Sequence, residues 1–189
     1  VLDYPETLKG DVVDVYHGTS VPDPYRWLED PDSEASRAWI EAQNAFTYSW
    51  LGEIPERAGI RSRVEALWNY ERYSSPTLVA GKYYYFRNDG LQNQSVLYVS
   101  ESLEAEGSVV LDPNSFSEDG TVSLAGWYPS ETGKYMAYST SDGGSDWRQM
   151  HVMNLETGER LEEILDWVKF SSANWNADET GFFYSRYPE

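Results

Sequence analysis

Cysteine is absent from the chain. That excludes disulfide bonds, thiolate metal sites and cysteine nucleophiles. Histidine is nearly as scarce, with only His17 and His151. A serine triad needs a histidine held by a carboxylate and touching the nucleophile, and the spacing suggests no such arrangement for either. Both read as ordinary structural or surface residues. A nucleophile elbow needs Gly-x-Ser-x-Gly, and Gly143-Gly144-Ser145-Asp146-Trp147 fails because Trp147 stands where the second glycine belongs. No catalytic residue is assigned in this stretch.

Positive charge is also in short supply, with 14 Lys and Arg against 32 Asp and Glu for a net charge of −18. Such acidity repels nucleic acid and anionic membranes, so neither is expected as a partner, and cationic or neutral peptides are better tolerated. No apolar run approaches the roughly 18 residues that a membrane span needs. The start carries no basic, then apolar, then small-residue leader, although Val1 is not an initiator methionine and a leader already removed is compatible with that. A cytoplasmic setting is the favoured expectation, with a periplasmic or secreted one as the alternative. No phosphate-binding Gly-x-x-x-x-Gly-Lys occurs. Asp112-Pro113-Asn114-Ser115-Phe116-Ser117 opens like a calcium loop, but Phe116 replaces an oxygen ligand and Ser117 the required glycine, so it reads as a turn. No metal and no cofactor is expected.

Aromatic residues, by contrast, abound. Fifteen Tyr and eight Trp in 189 residues argue for a packed, β-rich protein rather than a disordered acidic tail. The length suits one ordinary domain or pieces of two. The segment up to Asp23 reads as an irregular arm with one strand-like stretch, Val12 to Tyr16, whose partner is expected elsewhere. Pro22 and Pro24 then enforce an extended entry to Asp23-Pro24-Tyr25-Arg26-Trp27-Leu28-Glu29-Asp30, where Arg26 stands among Asp23, Glu29 and Asp30 and its planar fork suits a carboxylate. This stretch reads as an anchor that pins the arm.

Two helices are expected next. Asp30 is the anticipated cap and Pro31 the first helical residue, followed by Ala35, Trp39, Ala42, Phe46 and Trp50 along one face. Gly52 and Pro55 break that pattern, and Ile60, Val64, Leu67 and Trp68 predict a second amphipathic helix ending before Tyr73. After Ser74 the period changes. Lys82 to Arg87, Ser95 to Ser100 and Ser108 to Leu111 are short aromatic or β-branched runs between turn clusters, and so predict strands.

Repetition organises this second part. Gly81-Lys82-Tyr83 returns as Gly133-Lys134-Tyr135, Trp127 with Glu131-Thr132-Gly133 returns as Trp175 with Glu179-Thr180-Gly181, and Leu103-Glu104 returns as Leu155-Glu156. Repeats of about 40 to 50 residues built from short strands are the mark of propeller blades. The chain is therefore mainly β with an amino-terminal helical arm, divided at 1–73 for the arm and helices and 74–189 for the blades. It holds one complete unit, most of a second and the start of a third, which Gly181 to Arg186 open. Roughly four to eight blades close a ring. An incomplete propeller, a fragment of a longer protein, is the expectation.

Six separated motifs, in order, resemble the amino-terminal portion of the prolyl oligopeptidase family: Asp23 to Asp30, Glu41 to Asn44, Gly90 to Val99, Leu111 to Asn114, Asp119 to Val122 and Gly144 to Trp147. The resemblance implies a seven-bladed propeller, of which about two to three blades are present, over an α/β-hydrolase domain whose Ser, Asp and His lie beyond residue 189. It implies a serine endopeptidase acting on short proline-containing peptides, with that carboxyl-terminal catalytic domain as the partner of the arm and helices. The blades would gate access and exclude folded proteins. Residue by residue, Val168-Lys169-Phe170-Ser171 resembles a segment whose aromatic lines a substrate subsite, which places Phe170 there; a blade-core aromatic is the other reading. Asp146 resembles an acidic residue near the inter-domain face, against a turn carboxylate that only organises its loop. Two further readings of the whole remain: a non-catalytic propeller module that offers an acidic face to a basic partner, and a sister oligopeptidase of different specificity.

Overall fold

The strand-like stretch near the start finds its partner at once. In the computed structural model, which describes residues 2–189, β1 (Val13–Tyr16) pairs antiparallel with β2 (Thr19–Pro22). The expectation of a distant partner was wrong, and the turn explains why. His17 and Gly18 both take left-handed backbone, with φ of 50° and 84°, the conformation a two-residue hairpin turn requires. Histidine in place of the usual asparagine or aspartate hid the signal. Arg26 donates to Asp23 through Nε at 2.6 Å and, through a second nitrogen, to Asp14 on β1. Glu29 stands 3.4 Å away. The anchor thus holds the hairpin, with Asp14 rather than Asp30 as its far partner.

Helix α1 (Glu34–Gly52) begins later than the sequence suggests. The Asp30 carboxylate accepts from the backbone of Asp32 at 3.0 Å, a local turn that competes with helix capping. The cap is Ser33, whose hydroxyl accepts from the Ser36 nitrogen at 3.2 Å. Pro31 therefore lies in the turn before the helix, not at its first position. The arm covers part of the apolar face: Trp39 donates to Thr7 Oγ1 at 2.9 Å, and the rings of Tyr4 and Phe46 lie 5.0 Å apart. Helix α2 runs Arg57–Trp68 and leaves Ile60, Val64, Leu67 and Trp68 exposed.

By its contacts the chain separates into one unit through Val64 and another from Glu65 to Glu189. Beyond the last turn of α2, which ends at Trp68, the second unit is built mainly of sheet. Its first sheet holds β3 (Arg72–Tyr73), β4 (Thr77–Val79), β5 (Lys82–Asn88), β6 (Val96–Ser100) and β7 (Ser108–Leu111). Both β3 and β4 pair with β5, as one outer strand in two pieces. Pro76, which has no N–H for the ladder, lies in the break between them. The second sheet is a four-stranded meander of β8 (Val122–Pro129), β9 (Tyr135–Asp142), β10 (Arg148–Asn154) and β11 (Leu165–Val168). A third begins with β12 (Asn174–Trp175) and β13 (Phe182–Phe183). This is the partial propeller that the repeats predict.

The strands stack by alternation. Successive side chains of a strand point to opposite faces. Met136 and Tyr138 of β9 pack with Tyr84, Leu97 and Leu111 of the first sheet. Between them in sequence, Ala137 packs with Met150, Val168 and Ala173, against which Trp175 and Phe182 close. Sheet two is thus buried on both faces, and neither core exists without a neighbouring sheet.

Candidate functional site

The two residues singled out for substrate contact lie on different connections of the second sheet. Strand β11 ends at Val168, fully buried in the second core, and the chain re-enters that region at the buried Ser171. Lys169 and Phe170 span the gap. The strand carries an irregularity: Arg148 pairs with Val168 but Met150 with Leu165, so one extra residue lies on the β11 side. Trp167 takes left-handed backbone there at φ 61°, and Phe170 follows at 52°. For bulky residues this conformation costs about 1–2 kcal/mol each, so the surroundings must impose it. They do so through residues 185–187. Tyr187 donates its backbone N–H to the Trp167 carbonyl at 2.9 Å, Ser185 donates to Ser171 Oγ at 2.8 Å, and Val168 bridges Arg186. Phe170 is left 69% exposed and belongs to neither core. It borders a shallow pocket of about 290 Å³ with Ser172, Asn174, Phe183 and Tyr184.

Asp146 lies in the connection from β9 to β10. Gly143 and Gly144 turn this loop at φ of 57° and 76°. Its internal hydrogen bonds come from other residues: Ser145 donates its N–H to the Asp142 carbonyl at 2.9 Å, and Trp147 donates its N–H to Ser145 Oγ at 3.1 Å. The Asp146 carboxylate instead faces Lys169, with Oδ2 3.4 Å from Nζ.

Lys169 is the residue that joins the two. Its ammonium sits 5.2 Å from the ring centre of Trp147 and 5.2 Å from that of Phe170, within range of a cation–π contact. Trp147 in turn meets Trp167 at 5.7 Å and Tyr187 at 5.6 Å, both edge to face. A groove of about 640 Å³ adjoins this group, lined by Trp147, Trp167, Asp142, Arg148 and Asp166 among others. Sequence reasoning named Asp146 and Phe170 but treated Lys169 and Trp147 only as their neighbours. The available signal was the cation beside an aromatic in a chain so poor in cations.

This group can bind and orient, through an exposed ring and a paired charge, but it holds no activated nucleophile. His151 is on β10, where Thr140 Oγ1 lies 3.2 Å from its Nε2 and the Tyr138 ring stacks at 5.0 Å. Burial, with a smaller contribution from Arg160, pushes its imidazole below the ordinary value. His17 serves in the hairpin turn. Among the described residues no group of three His, Cys, Asp or Glu is placed to hold a metal ion. Asp112 accepts from the Asn114 N–H at 2.9 Å, the turn geometry expected of it.

Comparison with known proteins places these observations. The family described as "Prolyl oligopeptidase, N-terminal beta-propeller domain" matches residues 4–189. The chain is 48% identical over 188 residues to the prolyl endopeptidase of Elizabethkingia meningoseptica, covering 99% of this chain and 26% of that protein. A solved prolyl endopeptidase superimposes with a TM-score of 0.90 at 34% identity, over 98% of this chain and 28% of its own. Prolyl oligopeptidase B from Galerina marginata, solved with a bound 35mer hydrolysis and macrocyclization substrate, gives a TM-score of 0.82 at 33% identity, over 99% of this chain and 29% of its own. The chain spans about a quarter of the length of the curated relatives it matches.

Proposed function

Because the chain belongs to the prolyl oligopeptidase family, within its N-terminal β-propeller domain, we propose that it is the gating and substrate-lining part of a serine peptidase that cuts short peptides after proline. The catalytic Ser, Asp and His are supplied by a carboxyl-terminal α/β-hydrolase domain of the same protein, and the exposed apolar residues of α2 meet a cover there. Stacked blades keep bulk water and folded proteins from the scissile bond, a filter by size rather than by chemistry. Phe170 forms part of the cavity wall upstream of the cut, and Asp146 flanks it.

The observation that carries this reading is the placement of Phe170. A large apolar ring, 69% exposed and outside both cores, it borders a shallow pocket with Phe183 and Tyr184, and grouped apolar surface of this kind is what a ligand groove offers. Efficiency measured on two-residue and four-residue substrate series in the full-length protein, wild type and Phe170→Ala, tests it. Loss of an apolar contact is worth roughly 1–3 kcal/mol in discrimination, so the ratio of long-substrate to short-substrate efficiency should fall about tenfold or more, with the melting temperature close to wild type. An unchanged ratio with a large drop in melting temperature would return the ring to a structural role.

A further inference from the structure

We propose that Lys169 is a positioning residue for Phe170, its ammonium held by the Asp146 carboxylate so that the ring stands ready to receive an apolar substrate residue. The inference deepens the reading of Phe170 as a cavity-wall residue and rests on it. Three observations converge. The cation is the least exposed member of the group, with its side chain 26% accessible against 61% for Asp146. It therefore gives up hydration that its neighbours keep, and a partly desolvated ammonium is attracted more strongly to a carboxylate and to ring faces. Its contacts also lie on separate connections: Asp146 and Trp147 on the loop from β9 to β10, Phe170 after β11. One side chain thereby couples the loop to the exposed ring. Finally, the backbone at Phe170 is left-handed and is anchored at its flanks, through Val168 and Ser171. That anchoring fixes the main chain and leaves the ring torsions free. An exposed aromatic ring without a side-chain contact loses rotamer freedom when substrate binds, and a ring already placed loses less.

The chemistry distinguishes this role from simple packing. A positioning cation should act through Phe170, so its removal should matter only when the ring is present. The experiment is a double-mutant cycle in the full-length protein, with Lys169→Met and Phe170→Ala alone and together, read as KM and kcat on two-residue and four-residue substrate series. Lys169→Met should raise KM on the longer series about two- to fivefold, the size of an exposed cation–π contact, with kcat little altered because ground state and transition state lose the contact alike. In the Phe170→Ala background the same change should add nothing. Lys169→Arg should restore the wild-type KM, since its guanidinium can pair with Asp146 and stack on the ring. Asp146→Asn should reproduce the Lys169→Met pattern in part. If Phe170→Ala lowers long-substrate efficiency while Lys169→Met does not, or if Lys169→Met costs as much with and without the ring, the positioning role is overturned and the subsite reading survives. If Phe170→Ala itself is silent on both series, the subsite reading falls, and the role of Lys169 toward substrate falls with it.

Discussion

Glu179 accepts two hydrogen bonds from Thr132, one from its backbone nitrogen at 2.7 Å and one from its hydroxyl at 2.5 Å. Thr132 lies in the Glu131-Thr132-Gly133 turn of the second sheet and Glu179 in the Glu179-Thr180-Gly181 turn of the third. The repeated turn is therefore more than a trace of duplication: one copy grips the other. Close by, Trp175 Nε1 donates to the Tyr128 carbonyl at 2.8 Å, so a second repeated residue also reaches the sheet before it.

The grip on Thr132 makes the third sheet sensitive to acid. The Thr132 hydroxyl, and after it the Thr132 N–H, hold the Glu179 carboxyl below its ordinary value of 4.5. A carboxyl depressed in the folded state adds stability that is present above the unfolded value and lost as pH falls through the folded one. Glu179→Gln should lower the melting temperature at pH 7 and flatten its decline below about pH 4.5. Melting curves of both proteins between pH 3 and 7 check this, and parallel curves would contradict it.

His151 should act in a separate window. Burial beside Tyr138, and secondarily Arg160, lower its imidazole from 6.5, against a small opposing effect of Asp166. The unfolded state then binds the proton more tightly, so the stability contribution is complete above pH 6.5 and is lost as pH falls toward the depressed value. Denaturant titrations across this range should show a slope in wild type that His151→Gln lacks. An identical slope in the variant would mean that the imidazole protonates freely in the fold.

Two glycines with the same backbone test how closely the sheets meet. Gly133 and Gly158 have φ of 72° and 73°, but a Cβ on Gly158 meets nothing within 4 Å, whereas one on Gly133 lies 2.9 Å from the Ala80 Cβ of the first sheet. Gly158→Ala should cost about 1 kcal/mol from backbone strain alone. Gly133→Ala should cost distinctly more, and adding Ala80→Gly should recover part of the excess. Equal costs in urea titrations would show that the two sheets part easily.

Truncation in the first core should be expensive. Met136 is fully buried among Tyr84, Leu97 and Tyr138, and Met136→Ala should destabilise by about 2–5 kcal/mol. Val109, 55% exposed on β7, is the control, and Val109→Ala should cost under about 1 kcal/mol. Comparable losses at the two sites would deny that the interface between sheets is the core.

Much of the fold was legible because its determinants are short-ranged. Turn glycines, alternating side chains and aromatic runs act over a few residues, so β5, β6, β7 and the repeat of sheets could be read from Lys82 onward. Where two local signals competed, reading failed. Asp30 could cap a helix or close a turn, and it closes a turn. His17 gave no turn signal because its left-handed backbone is set by pairing between Tyr16 and Thr19.

The candidate site divides the same way. By itself the sequence determined that these residues hold no cysteine chemistry and no Gly-x-Ser-x-Gly and that sheets repeat, while its resemblance to the prolyl oligopeptidase family pointed to Phe170 and Asp146. Only the tertiary structure decided that the two share Lys169. The physical reason lies in the register of β11, where one extra residue between the pairs Arg148–Val168 and Met150–Leu165 resets which face each later side chain takes. Such a bulge is stabilised by a left-handed Trp167 and by the hydrogen bond from Tyr187 twenty residues on. No local propensity announces a tryptophan in that conformation; contacts from outside its own strand put it there.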